Sequence, residues 1–110
     1  MDEISIDRAL LLDFYGELLT EKQRRYWDLH WNEDYSLAEI AALEGLSRQG
    51  VWDILRRAEQ NLREVEDKTG IIRRFLDRRG EIQTIRRELS ALLPDDARSR
   101  GLLARLDGLI

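Results

Sequence analysis

Carboxylates and arginines are the side chains of this sequence that could do chemistry. Acid pairs occur at Glu33-Asp34, Glu66-Asp67 and Asp95-Asp96, and paired carboxylates are the groups that general acid–base catalysis uses. Adjacent residues on a helix point apart, and each pair flanks an expected helix end, where capping and the helix dipole account for it. The only histidine, His30, stands among Tyr26, Trp27 and Trp31, a setting for a packed ring rather than a metal ligand. With no cysteine in the chain, disulfides, thiolate nucleophiles and cysteine-based zinc sites drop out. No glycine-rich phosphate loop or nucleophile motif is present. The expectation is a protein that is not an enzyme, with no catalytic residues, no metal and no cofactor.

The arginines carry more information. Of the 18 basic residues, 16 are arginine and two are lysine. Arginine suits phosphate forks and interface ion pairs, although a GC-rich genome would produce the same bias. Taken as a total, the net charge of −4 disfavours a polyanionic partner. Its distribution is uneven. Residues 1–46 hold four basic and eleven acidic side chains, residues 47–80 hold nine and six, and residues 81–110 hold five of each. A −7 half is thus followed by a +3 segment. Binding to nucleic acid, if any, should be modest and salt-sensitive.

Five or six helices must position these groups. In 110 residues with 43% hydrophobic and 36% charged side chains, no stretch alternates as a half-buried strand does. The first helix is expected over 4–19, with Leu11, Phe14, Tyr15, Leu18 and Leu19 as its apolar face and Asp2, Glu3 and Asp7 near its start. Thr20 and Gln23 form a capping box for a second helix over 21–31, broken by Asn32-Glu33-Asp34. Ser36 and Glu39 form another for a short third helix over 37–44, and Gly45 is placed to end it in the left-handed conformation. Ser47 caps a fourth helix that should stop near Gly70. Beyond it, Ile72, Phe75 and Leu76, then Ile82, Ile85, Leu89 and Leu92, repeat at three and four residues. Gly80 is expected to interrupt them, and Pro94-Asp95-Asp96 to start a last helix.

The segment from Ser36 to Leu62 is the informative one. Two helices separated only by Gly45-Leu46-Ser47 must cross steeply. Ala41 keeps the crossing close, and Ile40, Leu46, Val51 and Ile54 supply a shared core. This is the helix-turn-helix pattern, in which the second helix enters the major groove of DNA and leads with its N-terminal residues. Arg48, Gln49, Trp52, Asp53 and Arg56 lie off its apolar line. Arg48 or Arg56 could fork a guanine edge or a phosphate, Gln49 could pair an adenine edge, and Arg57 and Arg63 could take flanking phosphates. The alternative is a solvated face laced with pairs such as Glu59–Arg63. Trp52 is either a groove residue or an aromatic folded back onto the second helix. Gly50, in the first turn, either admits a close neighbour or has no role.

The run Leu19-Thr20-Glu21-Lys22-Gln23-Arg24, followed by Asp34-Tyr35-Ser36-Leu37-Ala38-Glu39-Ile40-Ala41 and Ser47-Arg48-Gln49-Gly50-Val51-Trp52-Asp53, resembles the YlxM family of small bacterial proteins. Leu12, Asp13, Phe14, Tyr15 and Leu18-Leu19 fit the family's opening. The likeness covers about residues 8–79, with Gly50 where alanine is usual and Trp52 where tyrosine is usual. It implies an all-α fold, a helix-turn-helix bundle like region 4 of sigma factors with a C-terminal helical tail. It assigns Arg48, Gln49, Trp52, Asp53 and Arg56 to the recognition-helix face. Genes of the family are typically found beside those of the signal recognition particle, which implies a link to that pathway.

A helix-turn-helix domain over 1–69 and a tail over 70–110 are therefore expected. The tail's apolar stripe exceeds what the core can cover, which suggests a homodimer. The expected partner is DNA, with protein or RNA of the signal recognition particle as the other possibility. No run reaches the ~18 apolar residues of a membrane span, and the acidic start MDEISID lacks the basic region of a secretory signal. A cytoplasmic location is expected.

Overall fold

The computed structural model describes residues 6–110. Among them are six α-helices: α1 (Arg8–Tyr15), α2 (Glu21–Trp27), α3 (Leu37–Glu44), α4 (Arg48–Thr69), α5 (Ile71–Leu92) and α6 (Ala97–Asp107). No strand occurs among the described residues, and the fold is all-α, as expected. The chain forms two compact units, the first ending at Ile72 and the second covering Arg73–Ile110.

Side-chain caps set most helix starts. Both expected capping boxes form: Thr20 with Gln23 and Ser36 with Glu39 each exchange two hydrogen bonds of 3.0–3.1 Å. Each box satisfies two amides at a helix end, where no intrahelical acceptor exists. Ser47 accepts from the Gly50 N–H at 2.9 Å and starts α4. Asp96 accepts from the Ser99 N–H at 2.7 Å and starts α6.

Three expectations change. The first helix begins after Asp7, whose carboxylate takes the Leu10 N–H at 3.0 Å; Asp2, Glu3 and Ile4 lie outside the described residues. It also ends early. Buried Gly16 opens a 3₁₀ turn over Gly16–Leu18, and Leu18 of the expected apolar face is 64% exposed. The second helix widens into a π turn over Asp28–Asn32, closed by an amide of Glu33 donating to the Asp28 carbonyl five residues back. Gly80 does not interrupt: α5 runs through it unbroken. A mid-helix glycine costs only about 1 kcal/mol against alanine, too little to break a 22-residue helix.

The core of the first unit lies on one stripe of α4. Val51, Leu55, Ala58 and Leu62 are at most 1% exposed and pack against α1, α2 and α3. Leu11 of α1, Trp27 of α2 and Ile40 of α3 are equally buried.

Glu66 continues this stripe with a buried carboxylate. Its Oε1 accepts from the Tyr15 hydroxyl at 2.6 Å and from the Ile72 amide at 2.9 Å. Thr69 Oγ1 lies 2.8 Å from the Tyr15 oxygen. Because the phenolic proton goes to Glu66, the Thr69 hydroxyl donates there. One carboxylate thus joins α1 to α4 and satisfies an N-terminal amide of α5. Gly70, at φ 63°, makes the intervening turn, which only glycine adopts without strain.

Replacing Tyr15 by Phe should cost about 1.5–3 kcal/mol, since it removes a hydrogen bond to a buried charge; urea unfolding measures it. Burial, followed by the Glu66 bond, raises the Tyr15 pKa above 10.0. A phenol that ionises later folded than unfolded gives stability that is present below pH 10 and lost above it. The wild type should therefore lose stability on alkaline titration, and Tyr15→Phe should show a shallower loss.

Candidate nucleic-acid interface

The pair α3–α4 is built from a glycine turn. Gly45 sits at φ 67°, and both its amide and that of Leu46 donate to the Ala41 carbonyl. The Leu46 bond is the six-residue bond of the Schellman motif and the Gly45 bond the five-residue bond of the αL motif, and both fall on one orphan carbonyl at the helix end. Ala41 is 6% exposed and Ile40 and Val51 are fully buried, so the two helices meet through small and branched side chains. Leu46 and Ile54 are only partly buried. The geometry is that of a helix-turn-helix, with α4 in the place of the recognition helix.

Arg48, Gln49, Trp52, Arg56 and Arg57 are exposed on α4, and Asp53 is half-buried. Gln49 Nε2 donates to Asp53 Oδ1 at 2.9 Å, which engages one amide proton of Gln49. Arg48, Arg56 and Arg57 have no ion pair among the described residues. Guanidiniums left unpaired are available for phosphate or guanine. Leu37, Arg48, Gln49 and Trp52 line an open depression between the starts of α3 and α4.

Trp52 is 38% exposed and lines a second cavity with Trp31 of the π turn. Gly50 has the hydroxyl of the capping Ser47 as its nearest neighbour; a Cβ there would meet Oγ at 3.1 Å. His30 is half-buried: Nδ1 lies 2.7 Å from the Tyr35 carbonyl oxygen and its ring meets Trp31 edge-on at 4.4 Å.

The solvated-face pair also forms. Arg63 Nε donates to Glu59 Oε2 at 2.9 Å, and Arg8 Nε of α1 donates to Oε1 at 2.6 Å. Arg63 further donates to the Ile6 carbonyl at 3.1 Å. The Arg8 guanidinium lies 3.8 Å from the centre of the Trp31 ring. Arg8 and Trp31 thus join Gln60 on the surface of α4 without any sign in the local sequence. Arg8 and Glu59 are 51 residues apart, and only the packing of α1 on α4 brings them together.

A family model described as "Putative helix-turn-helix protein, YlxM / p13 like", UPF0122, matches residues 3–96. A UPF0122 protein of Thermoanaerobacter sp. is 40% identical over 92 residues, covering 84% of this chain and 79% of its own. One of Geobacillus kaustophilus is 42% identical over 99 residues, covering 90% of each chain. One of Clostridium kluyveri is 51% identical over 70 residues, covering 64% and 63%.

The Glu59 cluster makes a pH prediction. Desolvation pushes its carboxyl up, but the bonds from Arg8 and Arg63 outweigh that and hold it below the ordinary 4.5. A lowered carboxylate pKa gives stability that is present above the unfolded value and lost as pH falls through the folded one. Glu59→Gln should lower the urea midpoint at pH 7. It should also flatten the loss of stability below pH 4.5 relative to wild type.

Proposed function

The chain belongs to UPF0122, the YlxM/p13-like helix-turn-helix family, and from that premise we propose that it is a DNA-binding regulatory protein linked to the signal recognition particle pathway, with α4 in the major groove. The observation that carries the reading is the exposed N-terminal face of α4, with Arg48 and Arg56 free of ion pairs among the described residues. Arg48 and Arg56 take guanine edges or phosphates, Gln49 keeps one amide proton for an adenine edge, and Arg57 takes a flanking phosphate. Trp52 lies against the sugar–phosphate wall. Asp53 orients Gln49 through its hydrogen bond. The pathway link rests on the family likeness alone.

The second unit supports self-association into a homodimer. Apart from Ser99, no side chain of Arg73–Ile110 is buried, while Ile85, Leu89, Leu92, Leu102 and Leu109 are exposed. Arg86 forks Asp107 with bonds of 3.0 and 3.1 Å and ties α5 to α6, and the exposed apolar residues are the surface that a second copy would cover. A dimer would also present two recognition helices to paired half-sites. The same exposed surface favours the rival reading, an adaptor for protein or RNA of the particle.

Anisotropy titrations with a labelled duplex separate the two. DNA binding predicts an affinity that falls with salt by about 0.9 log units per log unit and phosphate contacted. Arg48→Ala or Arg56→Ala should weaken it by about tenfold. The adaptor predicts that these variants are silent and that Leu89→Asp abolishes partner capture, whether or not nuclease is added. Light scattering should find a dimer at micromolar concentration, converted to monomer by Leu89→Asp. A monomeric wild type would reject the dimer.

A further inference from the structure

The second cavity beside α4 is built differently from the recognition face, and the family likeness leaves it without a role. Its volume is about 230 Å³, below the ~300 Å³ at which sites enclose drug-sized ligands, so it suits a single ring system. Trp31 and Trp52 give it aromatic walls, and Arg8, Arg56 and Arg63 surround it against one carboxylate, Glu59. Two of those guanidiniums share Glu59. Arg56 has no ion pair among the described residues, so the lining carries an excess of two positive charges. The Trp31 face is already covered by Arg8 at 3.8 Å, which leaves the exposed Trp52 indole as the stacking surface. An occupant with a planar π face and an attached anion would complement this set.

We propose that this cavity is a subsite for one unpaired nucleotide, its base stacked on Trp52 and its phosphate held by Arg56 and Arg8. The proposal rests on the reading that α4 faces nucleic acid, and it deepens that reading. Trp52 lines both the cavity and the depression that holds Arg48 and Gln49. A nucleotide here would therefore be continuous with a duplex lying on α4. Bases stacked within a duplex cannot enter a pocket, whereas an extruded or unpaired base can. Base stacking on an aromatic side chain tolerates any base, so the subsite would read local unpairing rather than sequence. The enclosing guanidiniums add the phosphate contact and its salt dependence.

The test uses the full chain and three fluorescein-labelled probes: a perfect duplex, the same duplex with one unpaired adenosine at its centre, and a ten-nucleotide oligodeoxyadenylate. Wild type should bind the bulged duplex about tenfold more tightly than the perfect one, the size of one base–aromatic stack. Gln60 is an exposed residue of the cavity wall, so its variants keep the fold. Gln60→Glu, which repels phosphate, and Gln60→Trp, which fills the space, should both abolish that preference and leave perfect-duplex binding unchanged. Equal affinity of wild type for both duplexes overturns the subsite and leaves the recognition-helix reading standing. A preference that survives both Gln60 variants also overturns it. Binding of the single strand alone, lost in the Gln60 variants, supports the subsite and rejects duplex recognition. Binding of none of the probes rejects both.

Discussion

Val51, Leu55, Ala58 and Leu62 follow one another along α4 at spacings of four, three and four, and each is at most 1% exposed. An α-helix presents such residues as one continuous line, and in this protein α1, α2 and α3 all pack on α4. Burying a line of Leu and Val side chains contributes about 1.5–3 kcal/mol per large residue before entropy is counted. No other element touches as many partners. The position of every other helix in the first unit is therefore set relative to α4, and so is the position of every side chain on its opposite face.

That constraint explains why the candidate interface sits where it does. The buried stripe faces inward, so Arg48, Gln49, Trp52 and Arg56 must face out. The tight α3–α4 turn, with buried Ala41 and left-handed Gly45, leaves the first turn of α4 exposed at Arg48 and Gln49. The same packing brings α1 alongside the middle of α4. There Arg8 reaches both Glu59 and the ring of Trp31. A single basic residue in an acidic N-terminal half thus joins the positively charged stretch of α4. Charge counted along the chain and charge gathered in space differ for this reason.

Glu66 illustrates a second kind of coupling. In the sequence it is one of an acid pair near a helix end, and capping was a sufficient account of it. It does cap, through the Ile72 amide, but it also closes a buried hydrogen bond with Tyr15. A buried carboxylate is tolerated when it is hydrogen-bonded, and these two partners come from α1 and α5. The second unit lacks any such anchor. Apart from Ser99 its side chains all remain at least partly exposed, so it has no fully buried apolar stripe comparable with that of α4.

Local signals were legible from residue types alone. The capping boxes at Thr20 and Ser36, the glycine stops at Gly45 and Gly70, and the apolar period of α4 all act within four residues along the chain. The fold class and the outward face of α4 followed from them, since hydrogen bonds and steric limits of that range need no tertiary context. Other features did not. The 3₁₀ turn at Gly16, the π turn over Asp28–Asn32 and the persistence of α5 through Gly80 rest on local preferences that packing can reverse, a mid-helix glycine costing only about 1 kcal/mol. The cavity formed by Arg8, Trp31, Trp52 and Arg56 was beyond any local reading. Its members come from three stretches of chain, and they become neighbours only when α1 and the π turn settle against α4. Short-range chemistry thus determined the helices, their caps and the exposed basic face. The tertiary structure alone decided which distant side chains would share a site, because that choice is made by burial of the common apolar stripe.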